Sequence, residues 1–405
     1  MTDLLEFGSE SGINGRKIDN KKKIIRLLSK QEEALTIPEI AIFIDVSIPI
    51  CTSLIRDLVS AKIIKKQGKK TSENGRRPYT YSLNKSSFYV VGVEILSNFI
   101  QLIVFSVDLD NIHTSIDRSF VLSKDKECLD NITRFIENSL SDSGISKKYI
   151  IGIGLGMQEV VQDSLGELSA YFSEESISLK EHLESKINLT VIIDNDTRTI
   201  GVAEQILGEA KGIANVLVVK VSRTLGLSII VDRHIVKGSH GVSGNINHTQ
   251  FKKGKKLCSC GKIGCLGTEI GGNALLSDLK TAITDGQISI HFNKANLSNY
   301  KYHDILDAVL KGDELSIKLI QAQGYKLGRS LGNIINLLDP ELVIIGGEYT
   351  MVKDFFIDAV KTGIIKTSLI DSVKRCEIKA STLGRYLGAK AGACMLLKAS
   401  DMIHF

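Results

Sequence analysis

Between Gly238 and Gly267 the chain reads GSHGVSGNINHTQFKKGKKLCSCGKIGCLG. Cys258, Cys260 and Cys265 form a C-x-C-x4-C pattern, and His248 stands ten residues ahead of the first. One imidazole and three thiolates make a closed tetrahedral set for a structural zinc ion. Gly261 and Gly264 allow the tight turns that bring thiolates round one point, because glycine tolerates left-handed backbone. Ordinary reduced thiols that happen to cluster are the bland alternative. A disulfide is disfavoured because nothing marks the chain as secreted. On the zinc reading the fold is expected to supply a loop that closes on His248, Cys258, Cys260 and Cys265 as a structural site.

The remaining cysteines, Cys51, Cys128, Cys376 and Cys394, lie in apolar or helical contexts and read as plain buried thiols in a reducing cytoplasm. With 405 residues, two or three units are expected. No apolar run reaches the roughly 18 residues of a membrane helix, and MTDLLEFGSES lacks the basic and apolar regions of a secretory signal. Charge is unevenly spread. Residues 1–85 hold 16 Lys+Arg against 10 Asp+Glu, leaving 35 against 36 for the rest of the chain's totals of 51 and 46. The whole positive excess sits in the first fifth, as expected of a nucleic-acid-binding head on a neutral body.

The head reads as a winged helix-turn-helix over residues 1–85. Residues 1–19 are expected to be a flexible arm, and NKKKIIRLLS from Asn20 to Ser29 a first helix. Thr36 and Glu39 have the spacing of a capping box, in which each side chain satisfies a backbone amide at a helix start; Pro38 fits that first turn. Ser47 is the expected N-cap of a third helix, SIPICTSLIRDLVSAKII, with Leu54, Ile55, Leu58 and Val59 as its apolar stripe. A strand from Ile63–Ile64, a basic loop KKQGKKTSENGRRP and a return strand PYTYSLN complete a wing. Direct base contacts are assigned to Ser47, Ile48, Pro49, Thr52 and Ser53. Arg56 and the wing lysines are assigned to phosphates, and Arg76 and Arg77 to phosphate or a minor groove. A basic protein-docking domain is the competing reading.

From Phe88 the pattern changes to a three-stranded meander, then a helix at 126–143, the strand YIIGIGLG, a helix at 178–187, the strand LTVIIDND and a helix from Thr197. A second meander (ANVLVVKV, LGLSIIVD, HIVKG) is followed by helices over 302–338, the strand ELVIIGG, a helix, the strand CEIKA and a last helix from about Gly384. This repeated order predicts two α/β lobes. The expected division is 86–198, with the helix 384–405 packing back on it, and 199–383 carrying the zinc motif.

The Gly238–Gly267 stretch resembles the signature of the ROK family (repressors, open reading frames and kinases), G-x-x-G-x-x-G-E-x-G-H followed by C-x-C-G-x-x-G-C-L-E. The matching residues are Gly238, Gly241, Gly244, His248, Cys258, Cys260, Gly261, Gly264, Cys265 and Leu266; the family's sugar-binding Glu is Asn245 here, and its closing Glu is Gly267. The resemblance covers most of 88–400. It implies a two-lobed actin-like ATPase (ribonuclease H-like) body behind the winged head.

In the family's kinases the lobes close over ATP and a sugar. The first phosphate motif, D-x-G-G-T, corresponds to Glu94–Asn98 and keeps no glycine; the second, G-T-G-x-G, corresponds to Ser222–Gly226 and keeps only its last. Gly346-Gly347 retains the third, though a strand-to-helix turn explains it equally. Loss of these cradles should abolish phosphoryl transfer, which depends on positioning and neutralising the phosphates. The kinases' catalytic Asn-Asp pair persists as Asn195-Asp196, where Asp196 either binds a ligand hydroxyl or N-caps the helix from Thr197. The family's sugar-facing Pro-Gly is Gln158-Glu159, and Glu269 reads as a surface or helix-capping residue. Asn195, Asp196, Asn245 and His248 are the candidate ligand-binding residues.

The expected function is that of a cytoplasmic, ligand-responsive transcriptional repressor. It resembles the family's regulators that answer to N-acetylglucosamine, xylose or glucose. Its expected partners are a double-stranded operator, a sugar or sugar-phosphate effector held between the lobes, and further copies of itself in a homodimer or higher oligomer. No membrane partner and no catalytic activity are expected. A sugar kinase with an appended head, and a repressor with a vestigial pocket controlled by a partner protein, are the alternatives.

Overall fold

A computed structural model describes residues 13–31, 33–69, 78–123, 125–158, 178–251, 254–384 and 387–400. The chain divides into two compact units, with boundaries at Asp196–Thr197 and Leu387–Gly388.

The first unit opens with α1 (Ile13–Lys30), which begins ahead of the expected Asn20. Tertiary pairing accounts for the difference: Lys17 and Lys21 each place Nζ 2.9 Å from the Asp57 carboxylate. A two-residue strand β1 (Leu35–Thr36) leads into α2 (Ile37–Phe43). The capping box forms: the Thr36 N–H donates to Glu39 at 2.8 Å and the Glu39 N–H to Thr36 Oγ1 at 3.4 Å. A turn through Asp45, at φ 56, swings the chain into α3 (Ile48–Ser60) at 108° to α2. That angle and turn length are those of a helix-turn-helix. Cys51, Leu54, Ile55 and Leu58 form the buried face of α3; Val59, expected in that stripe, is only half-buried. Ser47 holds the N-cap position, but its hydroxyl caps nothing.

The wing strands are β2 (Ile64–Lys69) and β3 (Tyr79–Leu83), and the small sheet runs β1-β3-β2. Strand β2 thus takes in residues expected to be loop. The rest of that loop, Asn74-Gly75 and Arg76-Arg77 included, lies outside the described residues.

The same unit continues with β4 (Tyr89–Leu96), β5 (Phe99–Ser106) and β6 (Asn111–Asp117) as an antiparallel meander, then α4 (Lys126–Asp142), β7 (Ile150–Met157), α5 (Leu179–Ile187) and β8 (Val191–Asn195). Strands β7 and β8 join parallel to β4, giving the order β6-β5-β4-β7-β8.

At the boundary runs α6 (Asp196–Leu207). The second unit then builds β9 (Val216–Val221), β10 (Leu225–Val231) and β11 (His234–Ile235), α7 (Gly272–Thr284), α8 (Tyr302–Leu310), α9 (Glu314–Leu338), β12 (Leu342–Gly346), α10 (Lys353–Ile365), α11 (Ile370–Arg375) and β13 (Glu377–Ala380). Its sheet order, β11-β10-β9-β12-β13, repeats that of the first sheet. The strands β9 and β12 are buried throughout, as expected where helices cover a sheet on both faces. The final helix, α12 (Leu387–Ala399), lies in the first unit from Gly388 onward. It approaches the sheet so closely that a Cβ on Gly92 would stand 1.8 Å from the Ala389 carbonyl oxygen. Among the described residues no single helix is long and apolar enough to cross a membrane.

Candidate functional site

The cysteine loop folds back on itself as a pair of irregular arms. The Cys258 N–H donates to the Lys262 carbonyl at 2.8 Å, and the Gly261 N–H returns to the Cys258 carbonyl at 2.9 Å. Further along, Phe251 donates to Gly264, and Leu266 to Thr249, both at 2.8 Å. Gly261 and Gly264 sit at φ 83 and 81, where a side chain would be strained. Lys256 ties the loop to α7 through Asp278 at 2.6 Å.

The result gathers His248, Cys258, Cys260 and Cys265, whose ligand atoms all lie within 4.8 Å of one another. Cys260 Sγ and Cys265 Sγ are 3.6 Å apart, and Cys258 Sγ is 3.7 Å from His248 Nδ1. A disulfide would need about 2.05 Å. A tetrahedron with zinc–sulfur bonds of about 2.3 Å and a zinc–nitrogen bond of about 2.05 Å has edges of about 3.8 and 3.6 Å. The donor set therefore fits a metal ion in both chemistry and spacing. Hydrogen bonding, first from the Cys260 backbone and then from the neighbouring thiols and His248, draws the Cys258 thiol down to about 6. Burial, reinforced by the adjoining thiols, pushes Cys265 up to about 11. By contrast Cys51, Cys128, Cys376 and Cys394 are isolated and buried.

Asn195 ends β8 and Asp196 begins α6, so the pair stands at the junction of strand and helix. Asp196 is 5% exposed. Asn245 precedes a 3-10 turn at Ile246–His248, and the His248 N–H donates to the Asn245 carbonyl at 3.1 Å. Both side chains are exposed. Close above this segment, Arg198 on α6, buried and unforeseen from the sequence, donates to the Gly241 carbonyl at 2.6 Å.

Gly267 stands where the family has Glu, and a Cβ there would meet the Asn247 Cβ at 3.0 Å, a tight contact that a small shift of Asn247 would relieve. Glu269 is not a surface residue; its backbone holds the C-cap position of the 3-10 turn Leu266–Thr268, with its N–H donating to the Leu266 carbonyl. It is 8% exposed and paired at 2.7 Å with Lys326 of α9. Gln158 is described, whereas Glu159 is not.

The segments corresponding to phosphate loops are occupied by the protein's own groups. Glu94 to Phe99 form a tight hairpin, with Leu96 paired to Phe99. The Glu94 carboxylate is buried, accepts from Gln101 Nε2 at 2.6 Å, and rests where Gly388 of α12 leaves space. In the second unit the Ser222 and Arg223 carbonyls accept the Gly272 and Asn273 amides at the start of α7, at 2.8 and 3.2 Å. Those helix-terminal amides are the donors an anion would otherwise use.

Gly347 sits at φ 88, and a Cβ there would lie 2.4 Å from the Val221 carbonyl oxygen, so the second glycine of the pair is required by the turn itself. Just beyond it the Glu348 carboxylate accepts from the Tyr302 hydroxyl and lies 3.5 Å from His303 Nε2. Burial and that carboxylate raise the Tyr302 hydroxyl well above its ordinary range, keeping it a donor. The Glu348 backbone N–H also donates to Ser222 Oγ at 3.4 Å, tying this turn to the segment corresponding to the second phosphate loop.

On the head, Ile48, Pro49, Ser53 and Arg56 are exposed along α3, Ser47 is exposed at its start, and Thr52 is half-buried. Lys62, Lys65, Lys66 and Lys69 are exposed on the adjoining turn and strand. Lys66 lies over the Tyr79 ring, 3.3 Å from its centroid.

Residues 91–400 match the ROK family. The chain belongs to the ROK family. A xylose repressor of Caldicellulosiruptor bescii is 26% identical over 378 residues, covering 91% of this chain and 92% of the repressor. That coverage cannot be reached without much of the winged head. A glucokinase of Halalkalibacterium halodurans is 27% identical over 272 residues, covering 66% of this chain and 82% of the enzyme. In fold, the chain is similar to the crystal structure of a ROK family transcriptional regulator, a homolog of the E. coli MLC protein. The TM-score is 0.79 at 21% identity, over 96% of this chain and 97% of that one. The ROK body is thus joined here to a winged helix-turn-helix, and its cysteine loop brings together a His/Cys3 set able to hold a metal ion.

Proposed function

We propose that this chain is a DNA-binding transcriptional regulator, a repressor whose state is set by a sugar or sugar-derived effector. The observation that carries the reading is coverage: likeness to a repressor extends over 91% of the chain, the head as well as the body. The head reads the operator through Ser47, Ile48, Pro49, Thr52 and Ser53, while Arg56, Arg76 and Arg77 hold phosphates or enter a minor groove. The effector is bound by Asn195, Asp196, Asn245 and His248. Two copies associate as a homodimer, so that the operator is a pseudo-palindrome with half-sites a helical turn or a multiple apart. The regulator works in the cytoplasm. His248, Cys258, Cys260 and Cys265 hold a structural zinc ion, which cross-links the loop and supplies folding energy.

The chain is not an enzyme on this reading. A sugar kinase with a DNA-binding head is the second reading, favoured by the glucokinase likeness and by the Asn195-Asp196 pair. Against it stand the amides of α7 bonded to the Ser222 and Arg223 carbonyls, and the glycines missing from Glu94–Asn98 and Ser222–Leu225. A footprint on the native promoter with and without candidate sugars, using the whole chain and the chain lacking residues 1–85, tests the proposal. Operator protection that depends on the head and changes with a sugar is expected. Equal protection by the head-deleted body would overturn the assignment of DNA binding to the head.

A further inference from the structure

We infer that the first turn of α3 reads thymine methyl groups in the major groove, with Ile48 and Ile50 as the specificity-determining side chains. The inference rests on the DNA-binding reading above and deepens it. Helix α3 commits Cys51, Leu54, Ile55 and Leu58 to the head's core. Ile48 and Ile50 take no part in that core and are 53% and 51% exposed, with Pro49 exposed between them. Three consecutive apolar residues therefore face outward at the end of the helix that a helix-turn-helix inserts into the groove.

Their polar neighbours are poorly suited to the usual bidentate recognition of guanine or adenine, which needs Arg, Lys, Asn or Gln. Thr52 has spent its one hydrogen on the Ile48 carbonyl at 2.7 Å. Arg56 lies about two turns beyond Ile48. The head's charge suits a polyanion: Asp57, the sole carboxylate of α3, is held by Lys17 and Lys21, while Arg56 on α3 and Lys62 and Lys65 beyond its C-terminal end are exposed, against one exposed carboxylate, Asp45, in the turn before the helix. In a major groove the apolar feature on offer is the C5-methyl group of thymine.

The test uses the full chain and a duplex enriched from a random pool. Each thymine of the half-site is replaced in turn by deoxyuridine, which lacks only the methyl group. One or two positions per half-site should weaken binding about fourfold each, the value of one methyl group withdrawn from a dry apolar contact. Ile48→Ala or Ile50→Ala should weaken binding to the intact duplex and lose sensitivity to the same deoxyuridine. Thymines outside the half-site serve as controls. Indifference to every deoxyuridine would overturn the inference and leave DNA binding by the head intact. Failure to enrich any duplex would overturn both. Conversion of the Ile48→Ala/Ile50→Ala protein to a smaller oligomer, with DNA affinity unchanged, would make this face a contact between copies and also overturn the inference.

Discussion

Replacing Cys260 with Ser isolates the contribution of the metal. Cys260 is exposed, so the substitution removes a ligand without opening a cavity, whereas Cys265 is 0% exposed and its loss would disturb packing as well. The oxygen of Ser is a poor substitute for a thiolate at this site. If the whole chain carries zinc at about a hundred times its dissociation constant, binding stabilises the folded state by about 2.7 kcal/mol. For a unit the length of Thr197–Leu387 each kcal/mol moves the melting midpoint by roughly 2–4 °C, so the variant should melt roughly 5–11 °C lower. Elemental analysis of protein purified without added metal should find one zinc ion per chain, absent from Cys260→Ser. The control is Cys376→Ser, at a buried thiol elsewhere in the same unit, which should lose some stability and keep its metal. The reasoning fails if metal-free, reduced protein melts with the untreated protein, or if Cys260→Ser retains full stability.

ATP should leave the melting temperature unchanged and no hexose or hexosamine should be phosphorylated; turnover at an ordinary enzymatic rate, followed by ADP release, would refute the reading of Leu96–Asn98 and Ser222–Thr224. In a thermal-shift screen at least one sugar or sugar phosphate should raise the midpoint, and Asp196→Asn or Asn245→Ala should abolish that shift while operator affinity without effector persists. Gly347→Ala should destabilise the second unit by roughly 1–3 kcal/mol, read by denaturant titration, because it combines a strained φ with a clash against the Val221 carbonyl. Asp57 is held below the ordinary carboxylate range by its hydrogen bonds to Lys17 and Lys21. The folded-state value is the lower one, so the stability Asp57 contributes is present above the ordinary carboxylate range and lost as pH falls below it. Asp57→Asn should remove that pH dependence of the docking of α1, measured by helical circular dichroism.

Much of the head was legible because its signals are local. Thr36 and Glu39 are three residues apart, and their capping box needs nothing from elsewhere in the chain. The meanders and the C-x-C-x4-C loop are local in the same sense. The beginning of α1 was not legible, because Ile13–Asp19 are held as helix by pairing to Asp57 on another element. Helix α7 was missed for a related reason. It opens on Gly271-Gly272, which reads as a break, and its first amides are satisfied by carbonyls of Ser222 and Arg223 far back in the chain. The burial of Glu269 was not legible because its partner, Lys326, is 57 residues away.

The sequence by itself determined most of the order of helices and strands, the charge asymmetry between head and body, the His/Cys3 set of the cysteine loop and the absence of glycines from two segments corresponding to phosphate loops. Each of these is carried by residue type at short spacing. Only the tertiary structure decided what those positions meet: the Glu94 carboxylate against Gly388, the loop carbonyls on α7, Glu348 with Tyr302, and the exposure of the isoleucines of α3. Burial and partnership at those positions depend on groups tens to hundreds of residues away, and no local pattern encodes them.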